Sequence, residues 1–134
     1  MTNQKCAILR EEDLPTISRV GGASTTQMVT PDCGAGSFLN GFTDIPAGAA
    51  IPLHFHNCEE SVLIVSGAAT AEIDGKQYAA KTGDVSWISA NVPHRFINKS
   101  TTETLRIYWT YASVNATRTL VESGESGPIV AEHK

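Results

Sequence analysis

Two histidines stand one residue apart, His54 and His56, and a carboxylate follows at Glu60. The segment around them reads as a strand. Side chains alternate faces along a strand, so both imidazoles project the same way, about 7 Å apart along the backbone. A short polar turn then leads to Glu60. Two imidazoles and a carboxylate converging on one point suit zinc, iron, copper, nickel or manganese. Glu59 is the rival carboxylate, and alternation puts it on the face opposite Glu60. Cys58 also lies in this stretch, where a soft-metal or redox role would be open to it. It is read as a bystander, because a buried or turn-borne thiol is usually inert.

The rest of the composition leaves that chemistry unrivalled. The chain has 134 residues, 41% of them hydrophobic and 18% charged. That length suits one domain, residues 1–134, with one core. Net charge is −4 and the basic residues are scattered, so the electrostatic term that dominates nucleic-acid binding is missing. No apolar run approaches the roughly 20 residues of a membrane helix. The longest, from Ile45 to Leu53, contains Pro46 and Pro52. The start of the chain, Met1 to Cys6, lacks the apolar core of a signal peptide, and the expected location is the cytoplasm. Cys6, Cys33 and Cys58 have unrelated spacings and make no disulfide framework. The sequons at Asn98 and Asn115 carry no meaning in that compartment.

The elements that must position the site read as short strands between turns. Residues 1–24 form an N-terminal arm with one short strand, and Thr25 to Thr30 is a second candidate, ended by Pro31. From there the expected strands are Phe38–Ile45, Ile51–His56, Glu60–Ser66, Ala69–Ile73, Gln77–Ala80, Val85–Ser89, His94–Asn98 and Thr104–Tyr111. Asp74-Gly75 is the best tight-hairpin signal in the chain. No segment has a convincing 3.6-residue apolar period. Short strands at regular spacing predict an all-β sandwich or barrel, with its core over about residues 36–112. The tail, residues 113–134, is polar and Gly-bearing; it is expected to pack along the barrel and then fray.

A second histidine segment, Gly83 to Asn98, completes a pattern. The chain resembles a single-domain cupin, a small β-barrel family marked by two motifs. Gly48, His54, His56, Glu60 and Gly67 match the first at every spacing, and Gly83, His94 and Asn98 match the second. Ser89 and Asn91 stand where the second motif has proline and glycine. Asn is the next-best residue to Gly where a turn needs positive φ, so Asn91 keeps the bend. The resemblance implies a double-stranded β-helix, or jelly roll. It implies one divalent metal ion (Fe, Mn, Ni, Zn or Cu) held by His54, His56, Glu60 and His94. It also selects Glu60 over Glu59, and implies a homodimer.

Parity places Val62, Ile64 and Phe96 inside the barrel, as a largely apolar wall of the kind that surrounds small-molecule sites. Asn98 shares the parity of His94 and serves either a ligand or the backbone at the strand end. In the last strand one face carries Leu105, Ile107, Trp109 and Tyr111; the other carries Arg106, Tyr108 and Thr110. Alternation does not fix which face is inward. If Arg106 and Tyr108 line the cavity they become the catalytic candidates, able to hold an anionic or enolisable substrate; otherwise Arg106 is solvated or at a dimer interface. Trp87 and Phe42 are expected in the core.

The partner is a small molecule, and three chemistries fit. An oxygenase binding O2 and a chelating substrate at iron is the favoured expectation. A redox-neutral lyase, isomerase or cyclase is the alternative, with Tyr108 or Tyr111 as the acid. A non-catalytic binding module is the third. No catalytic base besides the ligands is visible in the sequence.

Overall fold

The computed structural model describes residues 5–133; residues 1–4 of the expected arm and residue 134 of the tail lie outside the described residues. Twelve strands form two antiparallel six-stranded sheets. They are β1 (Thr16–Ser18), β2 (Ser24–Gln27), β3 (Leu39–Ile45), β4 (His54–His56), β5 (Glu60–Ser66) and β6 (Ala68–Ile73). The remainder are β7 (Lys76–Lys81), β8 (Val85–Ile88), β9 (His94–Ile97), β10 (Leu105–Tyr111), β11 (Thr117–Leu120) and β12 (Ser126–Pro128). One sheet has the order β1-β2-β3-β10-β5-β8 and the other β12-β11-β4-β9-β6-β7. The fold is all-β, as the strand and turn spacing predicted, and it is the jelly-roll barrel that the resemblance implied. Among the described residues, no helix is long and apolar enough to cross a membrane.

The core lies between the sheets and follows from alternation. In β5, Glu60, Val62 and Ile64 are buried while their neighbours are not; in β10, Leu105, Ile107, Trp109 and Tyr111 are buried. Ile88 and Phe96 meet them from β8 and β9. Burying such side chains contributes about 1.5–3 kcal/mol each before the entropy cost of ordering them. Gly41 in β3 makes room for the largest of them. A Cβ there would come within 2.5 Å of both Trp109 Cζ2 and the Thr26 carbonyl oxygen, so only glycine lets the indole pack against this strand. Trp109 Nε1 then donates to Thr43 Oγ1 at 2.9 Å, which satisfies its buried N–H.

The turns obey their residue types. Asp74 and Gly75 both have positive φ and close the two-residue hairpin between Ile73 and Lys76, the arrangement favoured by strand twist. Asn91 adopts a φ of 65°, as expected of the residue replacing glycine in the second motif. Its backbone N–H donates to the His56 carbonyl at 2.7 Å. The turn of one histidine segment is thereby tied to the strand of the other.

The arm has the one short strand expected of it, and the tail is more ordered than expected. The strand of the N-terminal arm is β1, paired with β2, whereas Ile8 is 83% exposed. The tail does not simply fray: β11 pairs with the histidine strand β4, β12 pairs with β11, and a 3-10 turn follows at Ile129–His133. Ile129 is buried. Arm and tail thus find their partners within the same chain.

Candidate metal centre

Three strands carry the four residues singled out by spacing. His54 and His56 lie on β4, His94 opens β9 and Glu60 opens β5. The β4–β9 register sets His54 opposite His94, and directly opposite residues share a face. Glu60 reaches the same point from the other sheet, where it is opposite Tyr111 on β10. All four are buried. The ligand nitrogens of the three histidines lie within 4.8 Å of one another, a group that can hold a metal ion. Glu60 Oε1 is 2.7 Å from His94 Nε2 and 3.6 Å from His56 Nε2.

Backbone carbonyls orient each ring. His54 Nδ1 faces the Pro52 oxygen at 2.7 Å, His56 Nδ1 the Thr117 oxygen at 2.9 Å, and His94 Nδ1 the Val92 oxygen at 2.9 Å. A carbonyl only accepts, so each Nδ1 carries a proton, and a ring that is neutral turns its Nε2 lone pair inward. Hydrogen bonds of this kind fix tautomer and orientation in metal-binding histidines. The cost is visible. His56 Nε2, His94 Nε2 and Glu60 Oε1 are buried without a hydrogen-bond partner, and such orphaned groups cost about 1–3 kcal/mol each. Two lone pairs 2.7 Å apart, on His94 and Glu60, also repel unless a proton or a cation lies between them. A divalent ion at this point would meet both demands. The residues fit it.

The electrostatics agree. Burial pushes the His54 imidazole down to about 3, helped by the neighbouring His94 and His56. Burial also lowers His56, more than Glu60 raises it. Both rings stay neutral near pH 7 and remain available as ligands. Burial opposes charge on His94 as well, but the contact with Glu60 outweighs it and holds His94 above the ordinary histidine value. Burial works against the Glu60 carboxylate too, yet His94 and His56 more than compensate and its value falls.

His54, Glu60 and His94 open onto a cavity of about 110 Å³, and His56 lies behind its wall against Tyr111. Phe96, Ile107, Trp109 and Tyr111 form its apolar side, and Thr25, Gln27 and Thr43 a polar side. The wall is therefore more polar than parity along β5 and β9 implied. Val62 and Ile64 are buried as expected but do not line this cavity. Tyr111 packs against His56 at a tilt of 42°, with ring centroids 4.3 Å apart. Burial, then the nearby Glu60 carboxylate, raises its phenol well above the ordinary value.

Arg106 and Tyr108 do not line this cavity. β10 turns Leu105, Ile107, Trp109 and Tyr111 inward, so the polar side chains between them face out. There Arg106 pairs with Glu11 at 2.5 Å and Asp44 at 3.6 Å and stacks over Phe42, which also contacts Tyr108. Phe42 belongs to this outer patch. Trp87 is 67% exposed rather than in the core, and its indole donates to Glu59 at 2.7 Å. Glu59 therefore points outward. Cys58 is half-buried, and burial raises its thiol, so it is a poor thiolate. Asn98 serves the backbone: its amide donates to the Ile45 and Glu103 carbonyls at 2.9 and 2.8 Å.

Three charged residues of the cavity went unread in the sequence: Arg19, Arg118 and Glu132. Arg118 lies on β11 opposite His56, and Glu132 bridges Arg118 at 3.0 Å and Arg19. The alternating threonines of Thr117-Arg118-Thr119 were the available signal for β11.

Residues 41–111 match the cupin domain family. That is more than half of the chain, which belongs to the cupin family. Protein SchB of Streptomyces halstedii is 29% identical over 109 residues, covering 81% of this chain and 79% of SchB. Among solved structures, the polyketide cyclase RemF from Streptomyces resistomycificus is similar with a TM-score of 0.73 at 15% identity, over 92% of this chain and 85% of RemF. An RmlC-like cupin from Shewanella frigidimarina NCIMB 400 gives 0.71 at 15% identity, over 84% and 95% of the two chains. At these identities the solved structures speak for the fold alone.

Proposed function

We propose that this cupin holds one divalent metal ion through His54, His56, Glu60 and His94. We propose further that it acts on a small organic molecule as a redox-neutral enzyme of the lyase, isomerase or cyclase kind. The carrying observation is the orphaned donor set, His56 Nε2, His94 Nε2 and Glu60 Oε1, of which His94 and Glu60 line the same cavity as Tyr111. A bound ion supplies Lewis-acid polarisation of a carbonyl oxygen. The protein does the rest. Phe96, Ile107 and Trp109 exclude water and press the substrate toward the histidines. The raised phenol of Tyr111 keeps its proton across the neutral range and can donate it as an acid from the His56 side of the cavity. This acid was one of two tyrosine candidates in the sequence; Tyr108, on the outer face, drops out. The likeness to RemF, itself a polyketide cyclase, adds an analogy of fold and no more.

The oxygenase expectation yields because the cavity supplies a proton-handling group, although the donor set still suits Fe(II). Oxygen is therefore the discriminating reagent. Metal-loaded protein is incubated with a panel of small enolisable carbonyl acids, in air and under argon. Equal turnover in both, with Tyr111→Phe slowing it about 100-fold or more at unchanged metal content, supports the reading. Oxygen uptake that stops with turnover under argon would overturn it in favour of an oxygenase. A ligand-induced thermal shift without turnover would leave a binding module.

The proposal includes a cytoplasmic homodimer. Its support is the exposure of Tyr78, Val85 and Trp87 on β7 and β8, the strands at one free edge of each sheet; open edges invite pairing. Light scattering at twice the 14.3 kDa chain mass is expected, and a monomer mass would refute the dimer.

A further inference from the structure

The cavity above the histidines is roofed by charge. Arg19, at the end of the arm, and Arg118, on β11, both line it together with Glu132. One carboxylate serves two guanidiniums: Glu132 Oε1 is 3.0 Å from Arg118, and Oε2 meets Arg19. Both arginine side chains are largely buried, 13% and 28% exposed. Two cations sharing one anion leave a unit of positive charge beside the cavity. Guanidinium forks match carboxylates in geometry as well as charge.

The size of the cavity gives this arrangement a consequence. At about 110 Å³ it is well below the roughly 300–1,000 Å³ of ordinary small-molecule sites. The turn carrying Glu132 is one of its walls. The base of that turn is fixed, because Ile129 is buried, its N–H donates to the Ala116 carbonyl at 2.9 Å and its carbonyl accepts from Gln27 Nε2 at 2.7 Å. Beyond Ile129, Val130 packs against the core and the ion pairs of Glu132 tie down the end of the turn. Glu132 itself lines the cavity, so its ion pairs hold one wall in place.

We propose that Arg19 and Arg118 form a carboxylate-binding site over the metal centre, and that Glu132 occupies this site until a carboxylate of the substrate displaces it. Glu132 is thus a built-in stand-in for the ligand, and the C-terminal turn is a strap that opens when the ligand takes its place. The substrate class follows: a small molecule with a carboxylate at one end and the reacting carbonyl at the other. This rests on the metal-enzyme reading for its purpose but not for its geometry.

The test uses malonate as the probe, titrated calorimetrically into the full chain, both metal-loaded and chelator-treated. Glu132→Gln is expected to bind malonate about tenfold more tightly than wild type in both forms, since a charge-assisted competitor has gone. Adding Arg19→Ala and Arg118→Ala is expected to abolish the gain. Glu132→Asp, with its charge kept and its reach shortened, is the second variant should the first not unfold cooperatively; intermediate affinity is expected. No gain in the folded variant, or a gain that survives loss of both arginines, overturns the proposal. Normal metal uptake with no gain defeats this site alone. An arginine-dependent gain in a chain that takes up no metal defeats the metal-enzyme reading alone.

Discussion

His54 and His94 face each other across the antiparallel pair of β4 and β9, their rings 4.5 Å apart. Sheet pairing, not local sequence, makes them neighbours. Each ring is pinned from behind by a carbonyl of its own segment, Pro52 or Val92. Both Nε2 atoms are therefore aimed before anything binds, and little ordering entropy is left for a ligand to overcome.

This preorganisation should make the metal-free protein acid-sensitive. Burial pushes His54 down to about 3 in the folded chain, and His56 is also held below the ordinary histidine value of 6.5. Below pH 6.5 the unfolded chain binds protons that the folded chain refuses, so stability falls as pH falls. His94, raised by Glu60, works in the opposite sense: its contribution is present below 6.5 and is lost as pH rises through its folded value. Glu60, lowered by the same pair, contributes above 4.5 and loses that only as pH drops through its folded value. Two lowered histidines against one raised give a lower Tm at pH 5 than at pH 7. His54→Ala should flatten that dependence. A chelator-treated sample with equal or higher Tm at pH 5 contradicts the assignment.

Gly41→Ala tests the packing behind the site. The added Cβ meets the Thr26 carbonyl oxygen and Trp109 Cζ2 at 2.5 Å, and backbone cannot move aside as a flexible side chain would. A loss of about 1–3 kcal/mol in urea unfolding is expected. A change within about 0.5 kcal/mol, the usual range for surface positions, would show that the strand and indole are not as close as described.

Arg106→Ala tests the outward face of β10. Its partners Glu11 and Asp44 are partly exposed, so stability should change by no more than about 1 kcal/mol. Metal content and malonate binding should be unchanged. A loss of either would place Arg106 at the site after all.

Much of this was legible in the residues, for identifiable reasons. β5 alternates cleanly and occupies Glu60–Ser66, the stretch its Val/Leu/Ile pattern marked. Asp74-Gly75 closes its hairpin because both residues tolerate positive φ. β10 was legible as a strand but not in its orientation. Alternation yields two faces, and the choice between them is made by the indole of Trp109 filling the space over Gly41, a contact remote in sequence. Trp87 misled for the related reason that an aromatic on an edge strand need not enter the core. β11 was hard to read because its four residues are all half-buried, so no apolar period marks it and only the alternating threonines pointed to a strand. With it were hidden Arg118, Glu132 and the carbonyl of Thr117 that pins His56.

The metal centre we propose is one ion held by His54, His56, Glu60 and His94. Its most direct test is elemental analysis of protein purified without added metal, for wild type, His54→Ala and His94→Ala. About one divalent ion per chain in wild type is expected, and none in either variant, with all three unfolding cooperatively. Either change removes an inward-facing nitrogen and leaves the sheets their register. Equal metal content in the three proteins would contradict the site.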